Sequence, residues 1–382
     1  MEIEDVKAFA TRLPSDDGSG VGTLPESRLF LATKNGCVYS KDFETVFVLV
    51  TADTGIRGWG EVQAPIGGHG VVYLIKEVLR PLLLGQDPLN RRGAWDRMLR
   101  AVRTRGHTNG LLADAIAGCD IALWDLAGHA LHAPVAALAG GGRRTVPVYV
   151  SGLDGSSREQ RVEFVSRCQA TGFNRFKLVG GEGVRDDLDE AAAIREAAGD
   201  SAELYLDAHW CYTAKDAIVL GRGLEALGFR FLEAPVPTEL IDAQVTVADK
   251  LSIPVAIGEE YRSVQQYLQL FRRGAVDVLQ PDVGRCGLTG AFDIAAMARA
   301  YGVPIAPHVG VGMGVYVAAA LHFAASLPEL LVLEGRPLER MERINRILVG
   351  EGLVAKGGDL YLPPGEGLGV DVDEDVLLEM TV

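Results

Sequence analysis

The sequence predicts an α/β protein whose larger part is a closed parallel barrel of the (β/α)8 type. Three observations carry this expectation. From residue 146 onward, short apolar runs alternate with helix-like stretches, the mark of a parallel sheet with crossover helices. Eight such runs fit within about 200 residues, the scale on which parallel strands close into a barrel. No GxGxxG or P-loop is present to support the rival, a doubly wound open sheet.

Taken in order, the elements read as follows. The run 43–51 (FETVFVLVT) is rich in β-branched and aromatic residues and ends just before Asp53-Thr54-Gly55, and a second short run, 56–62, follows it. The two predict a β-hairpin, with 65–70 (PIGGHG) as a loop. Segment 111–138 places apolar residues at three- and four-residue intervals and predicts helices. Gly140-Gly141-Gly142 closes this part, so the first unit spans 1–142. The expected barrel strands are 146–151, 175–180, 203–208, 229–234, 253–259, 276–282, 303–308 and 330–335, within a unit of 143–350, with helices such as 186–198 and 213–227 between them. The tail, 351–382, is rich in strand and turn signals and too short to fold alone, so it is expected to pack back on the first region.

Composition excludes several functions. With 48% hydrophobic and 23% charged residues, the chain can bury a core and is not disordered. A net charge of −14 argues against nucleic acid, which needs a basic face. Cys37, Cys119, Cys168, Cys211 and Cys286 are scattered, odd in number and without a CxxC, which fits reduced thiols better than disulfides or zinc. No run of about 18 apolar residues predicts a membrane span, and the start lacks the basic-then-apolar pattern of a signal peptide. A cytoplasmic protein acting on a small molecule is the expectation.

The chemistry is carried by strand ends. Asp207, Glu233, Glu259, Asp282, His308 and Glu334 are separated by 26, 26, 23, 26 and 26 residues. One βα unit per gap puts all six on one rim, at the C-terminal mouth where barrel enzymes place their catalytic groups. Three adjacent carboxylates repel one another unless a cation joins them. Asp207, Glu233 and Glu259 therefore predict one hard divalent ion, Mg2+, which prefers oxygen and keeps positions open for substrate. Asp282 beside His308 would fix the imidazole tautomer and leave the other ring nitrogen as a general base. His209, two residues after Asp207, should share its face and reach the site, as an acid or as support for the ligand loop. Lys177 shares a strand face with Arg175 and Val179 and is expected to point into the barrel, balancing a substrate carboxylate or the acids. His129, His132 and His322 read as structural, and the glycine-rich loop 310–314 is a weak signal for a substrate cradle.

These residues lie in segments that resemble the enolase superfamily in its mandelate racemase/muconate-lactonising subgroup. The resemblance runs through 118–126 (GCDIALWDL), 172–178 (GFNRFKL), 206–208 (LDA), 232–235 (LEAP), 257–259 (IGE), 280–287 (QPDVGRCG), Pro307-His308 and 364–369 (PGEGLG), nearly the whole chain in order. It implies a modified (β/α)7β barrel, an α+β capping domain drawn from both termini, and frequent homo-oligomers. It also implies Mg2+-assisted removal of the proton α to a carboxylate. In that frame Asp207, Glu233 and Glu259 match the metal ligands, Asp282 and His308 the base pair, Glu334 a substrate-binding acid, and Lys177 the first lysine of a Lys-x-Lys motif.

Val179 stands where the second lysine is expected and cannot take a proton. A racemase needs a base on each face of the carbon, whereas dehydration needs one base and one acid. The leading expectation is a dehydratase of an aldonate or aldarate, a hydro-lyase using His308 as base and His209 as acid. A His two residues after the first ligand resembles the galactonate-type dehydratases. A cycloisomerase or epimerase comes second, and a catalytically silent metal-binding barrel third. Loops 15–36 and 64–70 are expected over the mouth, with Arg28, Lys34, Asn35 and His69 as possible substrate contacts.

Overall fold

A computed structural model describes residues 1–14, 24, 27–106, 108–350 and 352–382, with 338 and 339 described by backbone alone. The expected hairpin forms from the strands Phe43–Ala52 and Arg57–Val62, and Ile3–Leu13 pairs antiparallel along the outer edge of Phe43–Ala52. Helix Gly110–Ala130 lies directly on this sheet. Contact that close requires glycine, because a Cβ at Gly60 would fall 2.1 Å from the Gly118 carbonyl, and one at Gly118 2.2 Å from Val62. Asp125 of the same helix accepts from Trp59 N and Leu368 N, both at 2.7 Å, and so ties hairpin and tail together. Loop 65–70 is shorter than read, since a helix already begins at Gly68–Leu74.

The barrel strands are Thr145–Ser151, Arg175–Val179, Glu203–Asp207, Leu232–Glu233, Val255–Ile257, Val278–Leu279 and Leu333–Gly335. They pair in parallel in chain order, and the last returns to the first. The seventh position differs from the expected strand 303–308. It is reduced to Ile305, which bridges Leu279 on one side and Leu330 on the other. Pro304 and Pro307 flank it, and a proline has no N–H to give to a ladder. Tyr149, Tyr205, Phe231, Ala256, Val278, Ala306 and Val332 form a buried cluster of their own, one residue from all but one of the eight strand positions. The Tyr205 and Phe231 rings lie 4.4 Å apart. This aromatic layer fills the barrel interior, as small closed barrels require.

The tail meets the first region as expected at Gly367, whose carbonyl accepts from Val135 N at 2.8 Å, and at Leu368, but its first part does not. Its hairpin, Val354–Lys356 and Asp359–Tyr361, adds antiparallel to the first barrel strand, not to the N-terminal sheet. Only the end reaches that sheet, where helix Glu374–Met380 is followed by a bond from Val382 N to Ala10 O of 2.9 Å. Helix Gly314–Ala325 joins barrel and tail through His322, which accepts from Ala136 N and meets Leu368 O, each at 3.0 Å. Among the described residues no helix is long and apolar enough to cross a membrane.

Burial holds His322 down at about 4, from an ordinary 6.5. The folded chain therefore refuses a proton that the unfolded chain takes up once the pH falls below 6.5. His322 should remove stability progressively between pH 6.5 and 4, by up to about 3 kcal/mol. In urea titrations at stepped pH, His322→Asn is expected to flatten that slope, and an unchanged slope would contradict the assignment.

Candidate active site

Asp207 and Glu233 end the third and fourth strands, and Glu259 follows the fifth after Gly258. All three are buried, and one carboxylate oxygen from each lies within 4.8 Å of the other two. The donor set is oxygen only, which suits a hard divalent cation. Lys177 lies among them with 1% of its surface exposed. Its Nζ is 2.8 and 2.9 Å from the two Glu233 oxygens, 3.2 Å from Glu334 and 3.8 Å from Asp207. Lys177 thus points inward as expected, packed over the Tyr149 ring at 5.2 Å, and balances the acids from beneath the cavity. Gln280 donates to Glu233 at 2.7 Å.

The electrostatics expose the conflict that a cation would remove. Burial, opposed by Lys177 and reinforced by the neighbouring carboxylates, pushes Asp207 up to about 6 and Glu233 up to about 8. Burial also pushes Glu259 up, but His308, Arg285 and Lys177 outweigh it and hold it well below the usual range.

Asp282 and His308 meet as the spacing predicts, with Nδ1 2.7 Å from Oδ2. The other ring nitrogen, Nε2, faces the acids at 3.0 Å from Glu259 and 3.7 Å from Glu334. Burial pulls His308 down, but Glu259, Glu334 and the Asp282 hydrogen bond hold it up at about 10. Glu334 is buried, accepts from Val309 N at 3.0 Å and lines the cavity.

His209 reaches the site, though not by strand alternation. The strand ends at Asp207, and His209 and Trp210 turn through left-handed φ values of 46° and 60°. The Asp207 carboxylate accepts from His209 N at 2.9 Å, and this turn brings Nε2 to 3.4 Å from Asp207. Burial pulls the His209 ring down, towards the neutral form. Val179 is 46% exposed and lines the cavity.

Of the loop residues, Lys34 lines the cavity and pairs with Glu182. Asn35 serves its own turn, accepting from Cys37 N at 3.0 Å. Arg28 pairs with Asp42, and His69 is an exposed helix residue away from the cavity wall. Within loop 15–36, residues 15–23, 25 and 26 lie outside the described residues. Sequence reasoning missed Gln280, Arg285, Arg336, Tyr316 and Gln63. Gln280 and Arg285 sit within QPDVGRCG beside Asp282, where a two-residue step from the dyad could have pointed to Gln280. Tyr316 and Gln63 carry no local signal.

The cavity holds about 610 Å3, enough for a small polar molecule. Asp207, Glu259, His308, His209 and Glu334 face it, together with Arg336, Arg158 and Arg161.

Residues 160–376 match the family described as enolase C-terminal domain-like. Residues 35–140 match the mandelate racemase/muconate lactonizing enzyme N-terminal domain. The chain is 36% identical over 347 residues to D-galactarolactone cycloisomerase of Agrobacterium fabrum, covering 87% of this chain and 90% of the relative. Arabinonate dehydratase of Saccharolobus solfataricus is 30% identical over 346 residues, covering 88% and 90%. D-galactonate dehydratase of Ralstonia pickettii is 34% identical over 351 residues, covering 87% and 90%. A crystal structure of an enolase superfamily member from Agrobacterium tumefaciens superposes with a TM-score of 0.93 at 31% identity, covering 100% and 99%. A racemase from Streptomyces coelicolor with bound magnesium superposes at 0.87 and 26% identity, each chain fully covered.

Removing Lys177 leaves the buried acids without their nearest cation. Lys177→Met should lower stability by roughly 3–5 kcal/mol in chelator, with saturating divalent ion restoring more of the melting temperature than it adds to the wild type. An equal loss with and without the ion would contradict this charge balance.

Proposed function

Because the chain belongs to the mandelate racemase/muconate lactonizing enzyme family of the enolase superfamily, we propose that it is a Mg2+-dependent dehydratase of an aldonate or aldarate, yielding a 2-keto-3-deoxy acid. The observation that carries the reading is a single well-placed base. His308 is held through Nδ1 by Asp282 at 2.7 Å and turns Nε2 toward the acids. The motif position that would carry a second base is the aliphatic Val179 on the same cavity.

Asp207, Glu233 and Glu259 would hold the ion, their oxygen-only donor set and mutual repulsion both fitting a small divalent cation. When bound, the ion supplies positive charge beside the substrate carboxylate, where negative charge builds up as the α-proton leaves. His308 Nε2 takes that proton. Glu259 and Glu334 hold His308 up, and a cation held by Glu259 would weaken that pull and favour the neutral ring that can accept. His209, whose Nε2 lies 3.4 Å from Asp207, would in its protonated form give the proton that lets the β-hydroxyl leave as water. Lys177 balances the acids from below, and Glu334 is placed to accept from a substrate hydroxyl.

A second reading is lactone cycloisomerisation, in which the same α-proton is removed and a ring oxygen leaves in place of hydroxide. It is favoured by the 36% identity to a D-galactarolactone cycloisomerase. Incubating D-galactonate, arabinonate and D-galactarolactone with enzyme and Mg2+ and trapping keto acid with semicarbazide separates the two. The dehydratase reading expects trapped product from an open-chain acid with loss of water. Product from the lactone alone would favour the second reading. His308→Asn is expected to lower turnover by roughly 10²–10⁴-fold with divalent-ion affinity intact, and normal turnover in that variant would overturn both.

A further inference from the structure

The capping hairpin reaches the base pair from behind. Glu61 and Gln63 stand two apart on or just past its second strand, so both project to one side. Glu61 is fully buried. It accepts from Thr45 Oγ1 and Tyr316 N, each at 2.8 Å, and from Met313 N. It therefore sits at the start of helix Gly314–Ala325, where free N–H groups and the helix dipole favour a carboxylate.

Tyr316 lies in the first turn of that helix. Its hydroxyl accepts from Gly310 N at 2.7 Å and donates to Asp282 Oδ2 at 2.8 Å. That oxygen is the one paired with His308 Nδ1. The other Asp282 oxygen accepts from Gly284 N at 2.8 Å, so both oxygens are occupied. The Tyr316 ring is seated in a slot that only glycine leaves open, since a Cβ at Gly312 would come within 2.1 Å of it and one at Gly284 within 2.7 Å. Gln63 accepts from Arg285, whose Nε lies 3.7 Å from the same Asp282 oxygen.

We propose that Tyr316 is a positioning residue for the Asp282–His308 pair and that Glu61 of the capping hairpin holds it in place, an inference that rests on His308 acting as the base. Two donors on one carboxylate oxygen fix the plane of Asp282, and that plane fixes the direction of His308 Nε2. Partners at one remove from the reacting groups commonly matter by about 10–100-fold.

The test is Tyr316→Phe, which deletes one oxygen, assayed on the acid that the wild-type enzyme turns over, alongside Mg2+ titration and α-proton exchange in heavy water. A fall in kcat and exchange of about 10–100-fold, with KM and Mg2+ affinity within about twofold, supports the proposal. Wild-type kcat overturns it. So does a parallel loss of kcat, KM and Mg2+ affinity, which would mark general damage to the site. Should Tyr316→Phe fail to fold, Glu61→Gln decides by the same criteria, since it sets an amide N–H against one of the helix donors. Full turnover by His308→Asn would instead sink the functional reading beneath the proposal.

Discussion

The structure depends on one constraint: several carboxylates are buried together at the mouth of a barrel, around a single lysine. Asp207, Glu233 and Glu334 all lie within 4 Å of Lys177 Nζ, and Glu259 joins Asp207 and Glu233 in the trio whose oxygens lie within 4.8 Å of one another. Burying like charges is costly unless they are paired. Lys177, Arg285 and His308 are the partners in the structure, and a divalent ion would be a further one. The aromatic layer beneath the site excludes water and makes each of those pairings stronger.

The barrel alone does not complete the site. Its Asp282–His308 pair is backed by Tyr316 and Arg285, and each of these is held by Glu61 or Gln63 from the N-terminal hairpin or the residue just past it. The hairpin is fixed in turn by helix Gly110–Ala130, packed through Gly60 and Gly118. The capping unit thus supplies more than a lid. It sets the back of the Asp282–His308 pair while Lys34 and Tyr39 also line the cavity.

Much of this was legible in the sequence because barrel periodicity is a covalent fact. A near-constant interval of one βα unit puts Asp207, Glu233, Glu259, Asp282, His308 and Glu334 on one rim regardless of detail, and the structure has them there. Strand lengths were less legible. Pro304 and Pro307 reduce the seventh strand to a single residue, although its apolar pattern resembles its neighbours. His209 reaches Asp207 through a left-handed turn that alternation cannot foresee. The tail hairpin bonds to Thr145, Val146 and Pro147 at the start of the barrel's first strand, a matter of tertiary pairing and not of local pattern. Tyr316 and Gln63 were invisible for the same reason, their roles being set by partners 34 and 222 residues away.

The central claim is that the buried acids form a site for one cation, and calorimetric titration of the apoprotein with Mg2+ tests it most directly. The account predicts one ion per chain, because Asp207, Glu233 and Glu259 each offer one oxygen within 4.8 Å of the other two. Binding should be lost in Asp207→Asn. Absence of binding by the wild-type protein, or binding that survives in that variant, would contradict the account.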